Sequence, residues 1–255
     1  MFLAPPNAIP RRCPLTNACT RRCRPLSVPA RSSRRTARPA TFTLLVAIMP
    51  ETERPQGFLH GAPPLVFVLG GPGSGKGTQC RKIVEEFHFD SICVGELLRR
   101  EAHGGDDPVL RRYIEEVLQR GEIVPTAITM RLLHKACTEH VGTHRGILVD
   151  GFPRAIEQAE AFEREAGAGC AFALYFECSE QVLMGRLLAR GQTSQRADDN
   201  METIRMRLRT FYTTSMPVIE RYQQQGKLVR LNAERDVEQV YEEVRRELLR
   251  RGFVR

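Results

Sequence analysis

Residues 70–78 read Gly-Gly-Pro-Gly-Ser-Gly-Lys-Gly-Thr. That composition and spacing suit the binding of phosphate. Glycines let the backbone turn several N–H groups inward around phosphate oxygens. A helix starting at the end of the loop adds partial positive charge, and Lys76 adds a full one. The strict form of the pattern places Ser or Thr directly after the lysine; here Gly77 stands there and Thr78 follows. A second candidate group is Asp150, which ends the apolar run Gly146-Ile147-Leu148-Val149. If that run is a strand, the acid lies at the C-terminal edge of a sheet beside the glycine loop. There it can orient Mg²⁺ and its waters. The six histidines and eight cysteines show no metal-ligand spacing.

These residues need elements to hold them. Leu65–Leu69 is an unbroken apolar run suited to a strand buried on both faces, and Ile83, Val84 and Phe87 follow the loop at helical spacing. Strand, glycine loop and helix form the context in which phosphate binding is credible. Ser91–Val94, Ala171–Phe176 and Lys227–Leu231 read as further strands, with Gly146–Asp150 as the third of five. Between them lie helical patterns. One opens at Glu96, and the next sets Leu110, Tyr113, Ile114, Val117 and Leu118 on one face. Another carries Ile128, Leu132 and Leu133. Later helices use Val182, Leu183 and Leu187, with Arg186 and Arg190 sharing a face, and then Ile204, Leu208, Phe211 and Tyr212, with Arg207 among them. The last uses Val237, Val240, Tyr241, Val244 and Leu248, with Asp236 as its N-cap. The alternation predicts an α/β fold with a five-stranded parallel sheet covered on both faces.

The chain has 255 residues, and 42% hydrophobic content is enough for a real core. No apolar run is long enough to cross a membrane. The formal charge of +8 invites a nucleic-acid reading, but residues 1–50 contain nine arginines and no acid, which leaves the rest of the chain at −1. The basicity belongs to a tail, and no nucleic-acid partner is expected. Residues 1–62 are rich in proline and arginine and read as a disordered extension. Its low acid content fits a mitochondrial transit peptide, whereas its prolines would break the amphipathic helix that such a peptide forms. The competing reading starts the protein at Met49 and places it in the cytoplasm. Free thiols in a reducing compartment are expected.

Six segments, in order, resemble one family. They are Gly-Gly-Pro-Gly-Ser-Gly-Lys-Gly-Thr at 70–78, Gly-Glu-Leu-Leu-Arg at 95–99 and Gly-Glu-Ile-Val-Pro at 121–125. Asp-Gly-Phe-Pro-Arg at 150–154, Arg-Leu-Leu-Ala-Arg-Gly at 186–191 and Ser-Gln-Arg-Ala-Asp-Asp-Asn at 194–200 complete the set. The chain is similar to the nucleoside monophosphate kinases, and within them to the short-lid adenylate kinases, with uridylate–cytidylate kinases as the next nearest group. The resemblance runs from about Leu65 to Val244 and includes the Gly-Lys-Gly-Thr form of the loop. It implies a kinase domain over 63–255, with an acceptor-binding insertion at about 93–125 and a short lid at about 191–200.

The resemblance implies reversible transfer of the γ-phosphate of MgATP to AMP by a monomer, giving two ADP. Gly73, Ser74, Gly75, Lys76, Gly77 and Thr78 would hold ATP, together with Arg186, Arg190 and Arg235. Val94, Arg99, Glu122, Ile123, Val124, Gly151, Phe152, Pro153, Arg154 and Gln158 would surround AMP. Arg196 and Arg207 would bridge the acceptor to the transferring group, with Lys76, Arg154 and Arg190 completing the catalytic set. Asp150 would position Mg²⁺ through water, and Asp198 and Asp199 would pin the closed lid. No general base is required, because the attacking oxygen belongs to an ionised phosphate.

Two positions leave the acceptor open. Adenylate kinases typically have threonine where Val94 stands, so a hydroxyl is lost. Gln158 matches their adenine-reading glutamine, where pyrimidine kinases have asparagine. Glu96 replaces the usual aspartate, and Arg235 stands where many relatives have glycine. The expected acceptor is AMP; the alternatives are UMP or CMP, or a nucleotide-binding protein without turnover.

Overall fold

The computed structural model describes residue 59 and residues 63–140, 145–167, 169–192 and 200–254. Most of the N-terminal extension, together with Arg196, Asp198 and Asp199 of the lid, lies outside the described residues. Leu59, assigned above to the extension, is buried in the core, and its N–H reaches the Ala166 carbonyl at 3.4 Å.

Strands Leu65–Gly70 (β1), Asp90–Cys93 (β2), Ile147–Asp150 (β3), Phe172–Glu177 (β4) and Leu228–Asn232 (β5) form a parallel sheet in the order β2-β3-β1-β4-β5. The helices begin with Lys76–Phe87 (α1), Val94–Gly104 (α2), Pro108–Gln119 (α3), Thr126–His140 (α4) and Ile156–Ala166 (α5). Glu180–Gly191 (α6), Met201–Thr210 (α7), Met216–Gln224 (α8) and Val237–Arg250 (α9) follow. This is the α/β architecture that the alternating pattern implied.

The period of two along β1 divides the core. Leu65, Phe67 and Leu69 join Ile114 of α3, Leu133 of α4, Phe162 of α5 and Tyr222 of α8. Val66 and Val68 face the other way, toward Ile83 and Phe87 of α1 and Val240, Tyr241 and Val244 of α9. A smaller cluster of Leu183, Leu187, Ile204 and Leu208 joins α6 to α7. Asp236 caps α9 through Glu238 N–H, as its sequence position suggested.

Some elements differ from the expectation. Val94 opens α2 rather than ending a strand. Tyr113 is 44% exposed, because the buried stripe of α3 is Ile114 and Val117. Helices α5 and α8 were not foreseen. Between α7 and α8, Phe211–Ser215 forms a π-helical turn in which Met216 N–H donates to the Phe211 carbonyl. Pro217, in the first turn of α8, has no N–H for the ordinary ladder, and the wider turn accommodates it.

Candidate functional site

The loop after β1 and the start of α1 form one end of a cleft of about 890 Å³ at the C-terminal edge of the sheet. This is where ligands bind open parallel sheets. Gly75 has φ 87° and serves as N-cap of α1, and Gly73 has φ 85°. These left-handed conformations suit residues without a Cβ and turn the loop around its own interior. Lys76 Nζ lies back across the loop, donating to the carbonyls of Gly70 (2.9 Å) and Gly71 (2.8 Å) and to Ser74 Oγ (3.3 Å). Burial pushes the Lys76 ammonium below the ordinary lysine value. Asp150 opposes that shift, and Arg154 and Arg207 reinforce it.

Asp150 ends β3 opposite Val68 of β1 and Cys93 of β2. The residue is buried, lines the cleft, and its Oδ1 has no hydrogen-bond partner within the protein. A buried carboxylate oxygen left in that state is costly unless something polar completes it. The donor set fits a hydrated Mg²⁺, a hard cation that keeps several waters and takes few protein carboxylates. Among the described residues there is no cluster of three or more ligating side chains.

The next segment turns at Gly151, with φ 74°, and runs through the cis Phe152–Pro153 peptide to Arg154. Arg154 is fixed from three directions. Its Nε donates to the Gly151 carbonyl (2.8 Å), its N–H donates to Gln158 Oε1 (2.9 Å), and its own carbonyl accepts from Ser215 Oγ (2.9 Å). Arg99 on α2 is held by Glu96 at 2.7 Å. A Cβ placed on Gly95 would stand 3.2 Å from Arg99 Nη2 and 3.7 Å from Arg154 Nη2, so two guanidinium groups converge over one glycine. Two like charges brought this close form a seat for an anion.

Arg186 and Arg190 of α6 and Arg207 of α7 also line the cleft. Arg186 donates to the Ala233 carbonyl (2.9 Å) and contacts Cys178 Sγ (3.6 Å). Gly121, Glu122 and Ile123 also line the cleft. Ser74, Gly77, Thr78, Gly151 and Pro153 line the cleft as well.

Five expected contact residues lie elsewhere. Phe152 packs edge-on against Phe67 and Phe162, with ring centroids 5.7 and 5.6 Å apart, and is a core residue. Val94, Val124 and Gln158 are buried and are not among the residues that line the cleft. The Arg235 side chain turns to Glu243 and the Asn232 carbonyl. Sequence reasoning missed Cys93, Thr210, Phe211 and Ser215, which do line the cleft. Burial, with Asp150 nearby, pushes the Cys93 thiol up. Among these, only Cys93 carried a usable signal, since it stands near the C-terminal end of the strand expected at Ser91–Val94.

A cleft with a phosphate loop, six lining arginines and one buried acid can hold two polyanions. The family model described as adenylate kinase matches residues 68–227. The chain belongs to the nucleoside monophosphate kinase family. It is 45% identical to a uridylate kinase of Saccharomyces cerevisiae over 71% of this chain and 88% of that protein. It is 42% identical to adenylate kinase 1 of Schistosoma mansoni, covering 74% of this chain and 94% of the relative. A UMP-CMP kinase 3 of Arabidopsis thaliana is 44% identical over 72% and 88% of the two chains. The family's nucleotide-binding and phosphotransferase character therefore applies to this chain, and its relatives divide between adenine and pyrimidine acceptors. Among the described residues no helix is long and apolar enough to cross a membrane.

Proposed function

We propose that this nucleoside monophosphate kinase transfers the γ-phosphate of ATP to AMP. The observation that supports an acceptor monophosphate is the convergence of Arg99 and Arg154 over Gly95. The two guanidinium groups bind the acceptor phosphate, while Lys76 and the amides of Gly73–Thr78 hold the triphosphate. Arg186 and Arg190 lie along the ATP phosphates, and Arg207 reaches the transferring group; Arg196, expected to join it, lies outside the described residues. Asp150 is the residue that would hold a hydrated Mg²⁺, which would supply positive charge against the triphosphate. No residue removes a proton, because the acceptor oxygen is already ionised, so positioning and charge supply the rate.

Support for adenine comes from Gln158. It matches the adenine-reading glutamine of adenylate kinases, and its Oε1 accepts the Arg154 N–H, tying it to the loop that carries the arginine. Pyrimidine acceptors are the second reading, favoured by Val94, which offers no hydroxyl on the acceptor side. The insertion at about 93–125 forms the acceptor domain, and the protein acts as a cytoplasmic monomer. The test is a coupled assay of the full chain with MgATP and each of AMP, UMP, CMP and GMP. Turnover highest with AMP supports the proposal, and highest with UMP or CMP supports the second reading. Tight ATP binding without turnover on any acceptor would overturn both.

A further inference from the structure

Helix α7 touches the acceptor segment through two hydroxyl groups and one glycine. Thr203, Arg207 and Thr210 are spaced by four and three residues, so they share one face of the helix. At one end of that face Thr203 Oγ1 donates to the Gln119 carbonyl at 2.7 Å. At the other, Thr210 Oγ1 donates to the Gly121 carbonyl at 3.1 Å. Between them the backbones nearly meet. A Cβ on Gly121 would stand 3.0 Å from both Arg207 N and Arg207 Cγ, and 3.1 Å from Met206 Cβ.

Both accepting carbonyls belong to the end of α3 and the turn after it. The last carbonyls of a helix have no intrahelical donor and need outside partners. The threonines satisfy this need, and they do so from the helix that carries Arg207. Glu122 and Ile123, immediately beyond, line the cleft alongside Arg207 and Thr210. The acceptor wall and the arginine are therefore joined by two hydroxyl hydrogen bonds and a glycine contact centred on Arg207 itself.

We infer that Thr203 and Thr210 are positioning residues for phosphoryl transfer, locking Arg207 to the acceptor segment so that acceptor binding sets the place of the arginine. The inference rests on the proposed role of Arg207. A hydroxyl bond is short and directional, and displacing a catalytic group by about 1 Å costs on the order of 10²-fold in rate. Removing the two bonds lets the helix and the wall move separately, while the aliphatic contacts of α7 with Leu183 and Leu187 remain.

The experiment measures steady-state kcat and both KM values for the full chain carrying Thr203→Val and Thr210→Val, singly and together. Each is compared with the serine variants, and each is repeated in an Arg207→Ala background. Valine keeps the shape and serine keeps the hydroxyl. The double valine variant is expected to lose about 10- to 100-fold in kcat, with KM for ATP little changed and serine restoring turnover. In the Arg207→Ala background the valines are expected to cause no further loss, since their effect runs through that side chain. A valine variant with parental kcat, beside a crippled Arg207→Ala, overturns the inference and leaves the role of Arg207 intact. Equal losses in both backgrounds also overturn it, by showing general loosening. Full turnover in Arg207→Ala alone removes the premise, a result that needs no threonine variant. If the double variant does not fold, Thr210→Val decides alone, because Thr210 is partly exposed.

Discussion

The backbone N–H of Arg154 donates to the side-chain oxygen of Gln158 at 2.9 Å, so a buried glutamine caps the loop that carries a cleft arginine. Gln158→Leu keeps much of the volume and removes the acceptor. Leaving that N–H unpaired is expected to destabilise the fold by about 1–3 kcal/mol. It should also raise KM for the acceptor without changing KM for ATP. Urea unfolding and initial rates check the two arms separately; unchanged unfolding energy would discard the capping account.

Lys76→Met is expected to lower kcat by about 10²–10³-fold, the usual loss for one preorganised donor. Stability should change far less. The two loop carbonyls lose a partner, but a buried cation held below its ordinary value is removed as well. Comparing turnover with the thermal midpoint checks it, and near-parental turnover would refute the role.

Arg154→Ala should chiefly damage use of the acceptor, because its guanidinium lines the cleft and converges with that of Arg99. The expected pattern is a raised acceptor KM and lower kcat, with ATP affinity measured by calorimetry nearly unchanged. An unaltered AMP dependence would remove Arg154 from the site.

Gly121→Ala tests the close approach of α7. Gly121 has φ 68°, and the added methyl would meet Arg207 at 3.0 Å on backbone and side chain alike. Left-handed strain alone costs on the order of 1–3 kcal/mol. A lower thermal midpoint together with reduced kcat is expected. Gly226→Ala serves as the control. It has φ 67° and open space around it, so it should show the strain without the kinetic effect.

Cys137 is fully buried in α4, and burial pushes its thiol from 9.0 up to about 12. The raised value favours the protonated, folded form. Its contribution to stability is complete below pH 9 and is lost as pH rises toward about 12, because only the unfolded thiol ionises in that window. The slope is about 1.4 kcal/mol per pH unit for one such group. Denaturant unfolding between pH 9 and 11 should therefore fall less steeply in Cys137→Ala than in the parent. Parallel slopes would contradict the burial account.

The strands and the glycine loop were legible in the sequence because apolar runs such as Leu65–Leu69 leave few alternatives to a buried strand. Lys76, Arg99, Arg154, Arg186 and Arg190 were legible because they stand inside short motifs, whereas Arg207 was read from its helix and the family resemblance. What escaped is what depends on distant partners. Tyr113 fits the apolar stripe of α3 by spacing, yet Ile114 and Val117 take the core and leave it outside. Phe152 sits in a motif with Arg154, but its ring completes a cluster around Phe67. Gln158 looked like a base-reading side chain, and half of its amide serves the backbone instead. The hydroxyls of Thr203 and Thr210 meet carbonyls 84 and 89 residues away, a pairing that no local pattern encodes. The π-helical turn left a trace in Pro217, which should have ended or widened any continuous helix through Phe211.

The place of β1 in the sheet has a mechanical consequence. It is the middle strand, paired along its length to β3 on one side and β4 on the other, and the glycine loop hangs from its end. Under the proposed function the donor nucleotide is mounted on the strand with neighbours on both sides, whereas β2, which leads into α2, has a neighbour on one side only. Deuterium should therefore enter the amides of Val66–Leu69 only through global unfolding, and reach those of Ser91–Cys93 through smaller openings. On that reading the triphosphate would have a fixed mount, and adjustment during turnover would fall to the acceptor side.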